Sequence, residues 1–187
     1  TGHGYLRTPN SIASYTALAA IAVQANQNEQ HGGQSIPAFD YYMAPGVLKT
    51  FKKEFKQALH DMLSFEGFID LINFNKVIDI VEKLDSIEFE MGIFSEFTSK
   101  SKKIDEIFNE AYRRAMSKTD RQTYQAMEAF IHNLNTMHSR AGAQVPFSSV
   151  NFGTDTSAEG RMVIKNYLLA ASRGLGQTSV PTVIVIL

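Results

Sequence analysis

The sequence predicts a helix-rich α/β fold. Three observations lead there. Apolar residues recur at helical spacing through most of the chain. A continuous β-branched run, Pro181-Thr182-Val183-Ile184-Val185-Ile186-Leu187, closes it, as in a strand buried on both faces. A second β-prone run, Val145 to Phe152, is separated from the first by a helical stretch. Strand, helix, strand is the sequence form of a βαβ unit, so the two strands are expected to lie parallel in one sheet.

The elements follow in order. Pro9 and Asn10/Ser11 signal a helix start, and Ser11 to about Gln27 is Ala-rich, with apolar residues nearly all round. Such a helix is buried or sits at an interface. Asn26 to Ser35 reads as a polar loop around Gly32-Gly33, and Pro37 to Pro45 as aromatic and irregular. Gly46 to Ser64 is an amphipathic helix with Val47, Phe51, Phe55, Leu59 and Met62 on one stripe. Its Lys49, Lys52, Lys53 and Lys56 lie on the other side and read as a solvated face.

Asn75 to Leu84 is a shorter helix, Ile87 to Phe97 is ambiguous, and Ser101 to Lys118 is helical again. Thr119 with Gln122 forms a capping box for a further helix running to about Arg140 and ended by Gly142. Thr156 with Glu159 forms another, opening the helix between the two strands, with Gly174 or Gly176 as its stop. The whole reads as one unit: 11–140 mainly helical, 145–187 strand, helix, strand. Because it closes on a buried strand, it is expected to be an internal piece of a longer protein.

Composition limits the function classes. The chain has 187 residues, 44% hydrophobic and 20% charged, with a formal net charge of −1. These are globular values, and they give no reason to expect a nucleic-acid or acidic-lipid partner. No apolar run reaches bilayer length and no signal peptide is legible, so a cytoplasmic home is the default. There is no cysteine. A thiol nucleophile, a zinc ribbon and an iron–sulfur site are therefore excluded within this chain.

Few motifs carry chemistry. The five histidines are His3, His31, His60, His132 and His138, and no pair has the spacing of a helical metal site. The segment Gln30-His31-Gly32-Gly33-Gln34-Ser35 is either a plain turn or a loop whose glycines let a ligand approach the backbone. Thr8, Asn10 and Ser11 open the first helix, either as ordinary capping residues or as a start whose free N–H groups face phosphate. No catalytic residue and no metal ligand is expected in the chain.

Three segments together resemble a known family. They are Thr1-Gly2-His3-Gly4-Tyr5-Leu6-Arg7-Thr8-Pro9-Asn10-Ser11-Ile12, Asn26 through His31-Gly32-Gly33-Gln34-Ser35 to Asp40, and Gly142-Ala143-Gln144-Val145-Pro146-Phe147-Ser148-Ser149-Val150-Asn151-Phe152-Gly153. In this order they resemble segments of anaerobic, glycyl-radical ribonucleoside-triphosphate reductases, most weakly from about Phe65 to Lys118. The resemblance implies a piece of the ten-stranded α/β barrel shared with pyruvate formate-lyase. It also implies a parent that makes deoxynucleotides by glycyl and thiyl radicals, using an iron–sulfur activase with S-adenosylmethionine, structural zinc, and ATP or deoxynucleotide effectors.

The parent would be a homodimer acting on ribonucleoside triphosphates. In such reductases a helix pairs across the two-fold axis beside an effector, and the loop after it links effector to substrate base. Ser11–Gln27 and His31-Gly32-Gly33-Gln34-Ser35 match those elements in order. The rivals are a formate-lyase-like glycyl-radical enzyme and a non-enzymatic helical module binding a nucleotide or a partner.

Overall fold

The computed structural model describes residues 7–30, 32–136 and 147–174, and the backbone of 184–186. His31, the expected helix end at Gly142, and the outer parts of the two expected strands (145–146, 180–183 and 187) lie outside the described residues.

Helix α1 runs Ile12–Glu29 and is capped by Ser11, whose side chain accepts from the Ser14 N–H. A turn leads to a short strand, β1, Gln34–Ile36. Helix α2 follows at once, Phe39–Phe65. A 3₁₀ turn at Ile69–Leu71 precedes α3, Phe74–Glu82, capped by Asn73. Beyond an extended stretch, a 3₁₀ turn at Met91–Phe94 runs into the single turn α4, Ser95–Thr98. Helix α5 spans Lys102–Thr136 without a break. Strand β2, Ser148–Asn151, helix α6, Ala158–Arg173, and strand β3, Ile184–Ile186, complete the order.

The three strands form one parallel sheet in the order β1-β2-β3, with Ser35 opposite Ser149 and Val150 opposite Val185. The expected βαβ unit is therefore present, with α6 as its crossover. Gly174, at φ +66°, is the cap that stops α6. Helices α1, α2, α5 and α6 pack on one another and carry the core. Phe39, Phe130, Phe152 and Tyr167 form one aromatic cluster next to the sheet. Phe51, Phe55, Phe89, Phe94 and Tyr112 form a second, which seals the 65–100 region onto α2 and α5. Offset and edge-on contacts of this kind each stabilise by about 0.5–1.5 kcal/mol beyond burial. Among the described residues no helix is long and apolar enough to cross a membrane.

Five expectations are corrected. The segment 37–45 is not irregular: α2 starts at Phe39 and carries Pro45 inside it. Proline removes one helical hydrogen bond, but Phe39, Met43 and Val47 on either side are buried and hold the helix through it. The polar loop is shorter than expected, since α1 continues to Glu29 and Gln34–Ile36 is a strand.

Thr119 and Gln122 are not a helix start. Thr119 is fully buried in the middle of α5, and Gln122 donates its side-chain amide to Glu54 Oε1 at 2.9 Å. Backbone N–H groups in mid-helix already have partners four residues back, so a capping pair there has nothing to cap. At α6 the cap is Ser157 rather than Thr156. Glu159 is buried and accepts the Ile87 N–H instead of closing a box.

The lysine face of α2 is not merely solvated. Lys52 donates to the Glu82 carbonyl, Lys56 pairs with the Glu82 carboxylate, and Lys49 donates to the Pro9 carbonyl and the Tyr15 hydroxyl. The hydrogen bond from Lys56 holds the Glu82 carboxyl below its ordinary range.

Candidate functional site

The glycine turn leaves the end of α1 and enters β1. Gly32 has φ +107°, a conformation that side-chain-bearing residues rarely adopt, and open space where a Cβ would stand. A Cβ on Gly33 would lie 3.4 Å from the Phe147 carbonyl oxygen, so the turn runs close beside the start of β2. The Gln34 N–H donates to that same carbonyl at 2.8 Å.

The Gln34 side chain points back into its own neighbourhood. Its Nε2 donates to the Gly32 carbonyl at 3.3 Å, and its Oε1 accepts from Asn26 Nδ2 in the last turns of α1. One carboxamide thus ties the helix end to the turn. Ser35 is exposed, on the strand itself. The expected loop is therefore divided: Gly32 and Gly33 form the turn, while Gln34 and Ser35 belong to the sheet.

An open, largely apolar groove of about 560 Å³ lies beside β1, lined by Tyr15, Leu18, Ala22, Ser35, Ile36 and Tyr42 among others. A second, more polar groove of about 440 Å³ lies between α1 and α5. Thr16, Lys53, Gln122, Gln125 and Asn133 line it. The α1 helix is thus flanked on both sides. Its Ile12, Ala20 and Val23 face the core and its Ile21 faces outward, 52% exposed.

The helix start at Thr8, Asn10 and Ser11 is mostly occupied by the protein itself. The Ile12 N–H donates to Thr50 Oγ1 at 2.9 Å, Ser11 Oγ accepts from Ser14, and the Tyr15 N–H reaches the Ser11 carbonyl. Thr8 and Asn10 are exposed. This is the geometry of a capped helix.

Sequence reasoning missed Asp40. It is fully buried, one residue into α2, and its Oδ2 accepts the backbone N–H groups of Gly153 and Asp155, each at 2.9 Å. Its other oxygen, Oδ1, is buried with no hydrogen-bond partner. The available signal is a lone acidic residue among Ala38, Phe39, Tyr41 and Tyr42. Among the described residues no group of three His, Asp or Glu side chains is placed to hold a metal ion.

Comparison with known proteins agrees with this arrangement of segments. The sequence model of the family described as "Anaerobic ribonucleoside-triphosphate reductase" matches residues 1–186. Three proteins carrying that name are similar to the chain. That of Enterobacteria phage T4 is 25% identical over 179 residues, covering 96% of this chain and 22% of the phage protein. Those of Salmonella typhimurium and Escherichia coli K12 are each 24% identical over 177 residues, covering 94% of this chain and 18% of each enzyme. The chain thus spans about a fifth of the length of the relatives it matches. With the family model covering nearly its whole length, this chain belongs to the anaerobic ribonucleoside-triphosphate reductase family.

Proposed function

We propose that the chain is part of a reductase that converts ribonucleoside triphosphates to deoxynucleotides in the cytoplasm, and that it carries the parent's dimer-contact and effector-specificity elements. In this reading α1 meets its counterpart across a two-fold axis, an effector deoxynucleotide lies beside it, and the Gly32–Gly33 turn with Gln34 and Ser35 passes the effector's identity to the substrate base. His31 precedes the glycines in the sequence and would act with them in this reading. The three parallel strands would be part of the wall of a ten-stranded barrel.

The observation that carries this is the Gln34 carboxamide, which bridges Asn26 of α1 and the carbonyl of Gly32. An effector-sensitive element needs two arrangements that a ligand biases. A glycine turn held by one exchangeable amide has that character. The exposed Ile21 and the grooves flanking α1 suit a helix that acquires a partner.

The parent's radical chemistry would need a thiyl cysteine, a glycyl-radical loop, an activase that uses S-adenosylmethionine, and structural zinc. The chain has no cysteine, and no metal-holding cluster stands among the described residues. The chain cannot supply the thiyl, and its described residues do not fit the zinc, so no chemical step is assigned to them.

The test uses the full-length reductase with its activase, S-adenosylmethionine and reductant. Gln34→Ala should blunt the change in substrate preference that each deoxynucleoside triphosphate induces, and Ile21→Arg should shift the dimer toward monomer in sedimentation. An unaltered effector response together with an unaltered dimer would reject the reading. The 187-residue chain alone should make no deoxynucleotide under the same conditions.

A further inference from the structure

Asp40 stands where two strand exits meet. On one side, β1 ends at Ile36, and only Pro37, Ala38 and Phe39 separate it from Asp40. Ala38 holds φ +48°, in the left-handed region that disfavours any residue with a Cβ, so this short connector is strained. On the other side, β2 ends at Asn151, and the chain turns at Gly153, φ +99°, toward α6. The Asp40 carboxylate receives the two N–H groups of this turn on one oxygen. Two backbone N–H groups converging on one anion form a concave nest. Here the anion comes from the protein, on α2.

The connection continues past the nest. Asp155 Oδ1 accepts the Ser157 N–H and its Oδ2 the Ser157 hydroxyl, both at 2.8 Å. Ser157 Oγ caps α6 by accepting from Gly160 at 3.0 Å. Gly160 is required for this packing, because a Cβ there would stand 2.7 Å from the Asp155 carboxylate. A hydrogen-bonded path thus runs from the outlet of β1 to the first turn of α6. It lies at the carboxyl end of both parallel strands, the end at which open α/β sheets bind ligands.

We propose that Asp40 is a positioning residue that passes the state of the Gly32–Gly33 turn and β1 to loop 153–157 at the carboxyl end of β2, and so takes part in selecting which ribonucleotide is reduced. This rests on the reading of the turn given above. Hydrogen bonds from backbone N–H groups to a buried carboxylate are strong and directional. A shift of β1 along its axis therefore moves loop 153–157 with it, rather than being absorbed at Asp40.

The experiment measures, in the full-length reductase with its activase, the turnover of all four ribonucleoside triphosphates with and without each deoxynucleoside triphosphate. Asp40→Ala, Asp40→Asn, Gln34→Ala and Ser35→Ala are compared with the parent. The readout is a ratio of substrates, so it does not depend on how much of a variant is folded. Asp40→Ala should remove most of the effector-driven change in preference, on the order of tenfold for a typical coupling. Asp40→Asn retains an acceptor oxygen and should keep an intermediate response, which also decides the matter if Asp40→Ala yields no soluble protein.

A response lost in the Gln34 or Ser35 variant but intact in both Asp40 variants would overturn this proposal and leave the turn reading standing. A response intact in all four would overturn both.

Discussion

Glu159, in the first turn of α6, accepts the backbone N–H of Ile87, and both residues are buried. The contact pins the extended stretch before the 3₁₀ turn at Met91 to the helix that crosses over between β2 and β3. Tyr112 of α5 secures the same residue from the other side, its hydroxyl donating to the Ile87 carbonyl at 3.1 Å. Glu159→Ala leaves the Ile87 N–H without an acceptor in a dry site, which costs about 1–3 kcal/mol. Glu159→Gln keeps an acceptor oxygen and should cost less. Urea unfolding midpoints check the order, and equal losses for the two variants would show that the carboxyl oxygen is not what matters.

Gly46 lies inside α2, where alanine ordinarily favours a helix by about 1 kcal/mol. Here a Cβ would stand 2.9 Å from Tyr15 Cδ2 and 3.1 Å from Ile12 Cα of α1. Overpacking of this kind costs about 1–3 kcal/mol, and since one of the atoms is backbone, the penalty wins. Gly46→Ala should therefore lower the thermal midpoint. Gly92→Ala, which meets nothing within 4 Å, should leave it nearly unchanged. A raised midpoint for Gly46→Ala would mean that α1 and α2 are not packed this closely.

Tyr167 is fully buried against Phe39 and Phe152, and its hydroxyl has no hydrogen-bond partner. Burial pushes its ionisation well above the ordinary tyrosine value. A raised folded-state pKa means that the folded protein holds a proton that the unfolded chain releases. The resulting stability is complete below the unfolded value of about 10 and declines as pH rises beyond it. Tyr167→Phe should flatten this alkaline loss. At neutral pH it should be neutral or stabilising by up to about 1 kcal/mol, because an unsatisfied buried hydroxyl is removed. Chemical denaturation at neutral and alkaline pH checks both, and an unchanged alkaline slope would place the loss elsewhere.

The α1 helix, the closing βαβ unit and the core stripe of α2 follow from local chemistry that the chain displays openly. Ser11 has the side chain to cap a helix, and Val47, Phe51, Phe55 and Leu59 recur at helical spacing and are fully buried. The runs at 145–152 and 180–187 each contain a strand, and Gly174 stops the helix between them. The Gly32-Gly33 turn was also legible, because glycine enters the left-handed region without strain, as Gly32 does at φ +107°.

What the tertiary structure decided has a common physical cause: the deciding partner is distant in sequence. Gln34-Ser35-Ile36 has no strand signature of its own and becomes β1 because β2, more than a hundred residues later, offers it a ladder. Pro45 stays inside a helix because the core on both sides of it outweighs one lost bond. Thr119 and Gln122 look like a helix start until α2 brings Glu54 against Gln122. Asp40 reads as an ordinary acidic residue until the fold delivers Gly153 and Asp155 to its carboxylate. Sequence fixes what a segment can do by itself, while long-range packing chooses among the options, because burial and hydrogen bonding reward only the groups that the whole chain brings together.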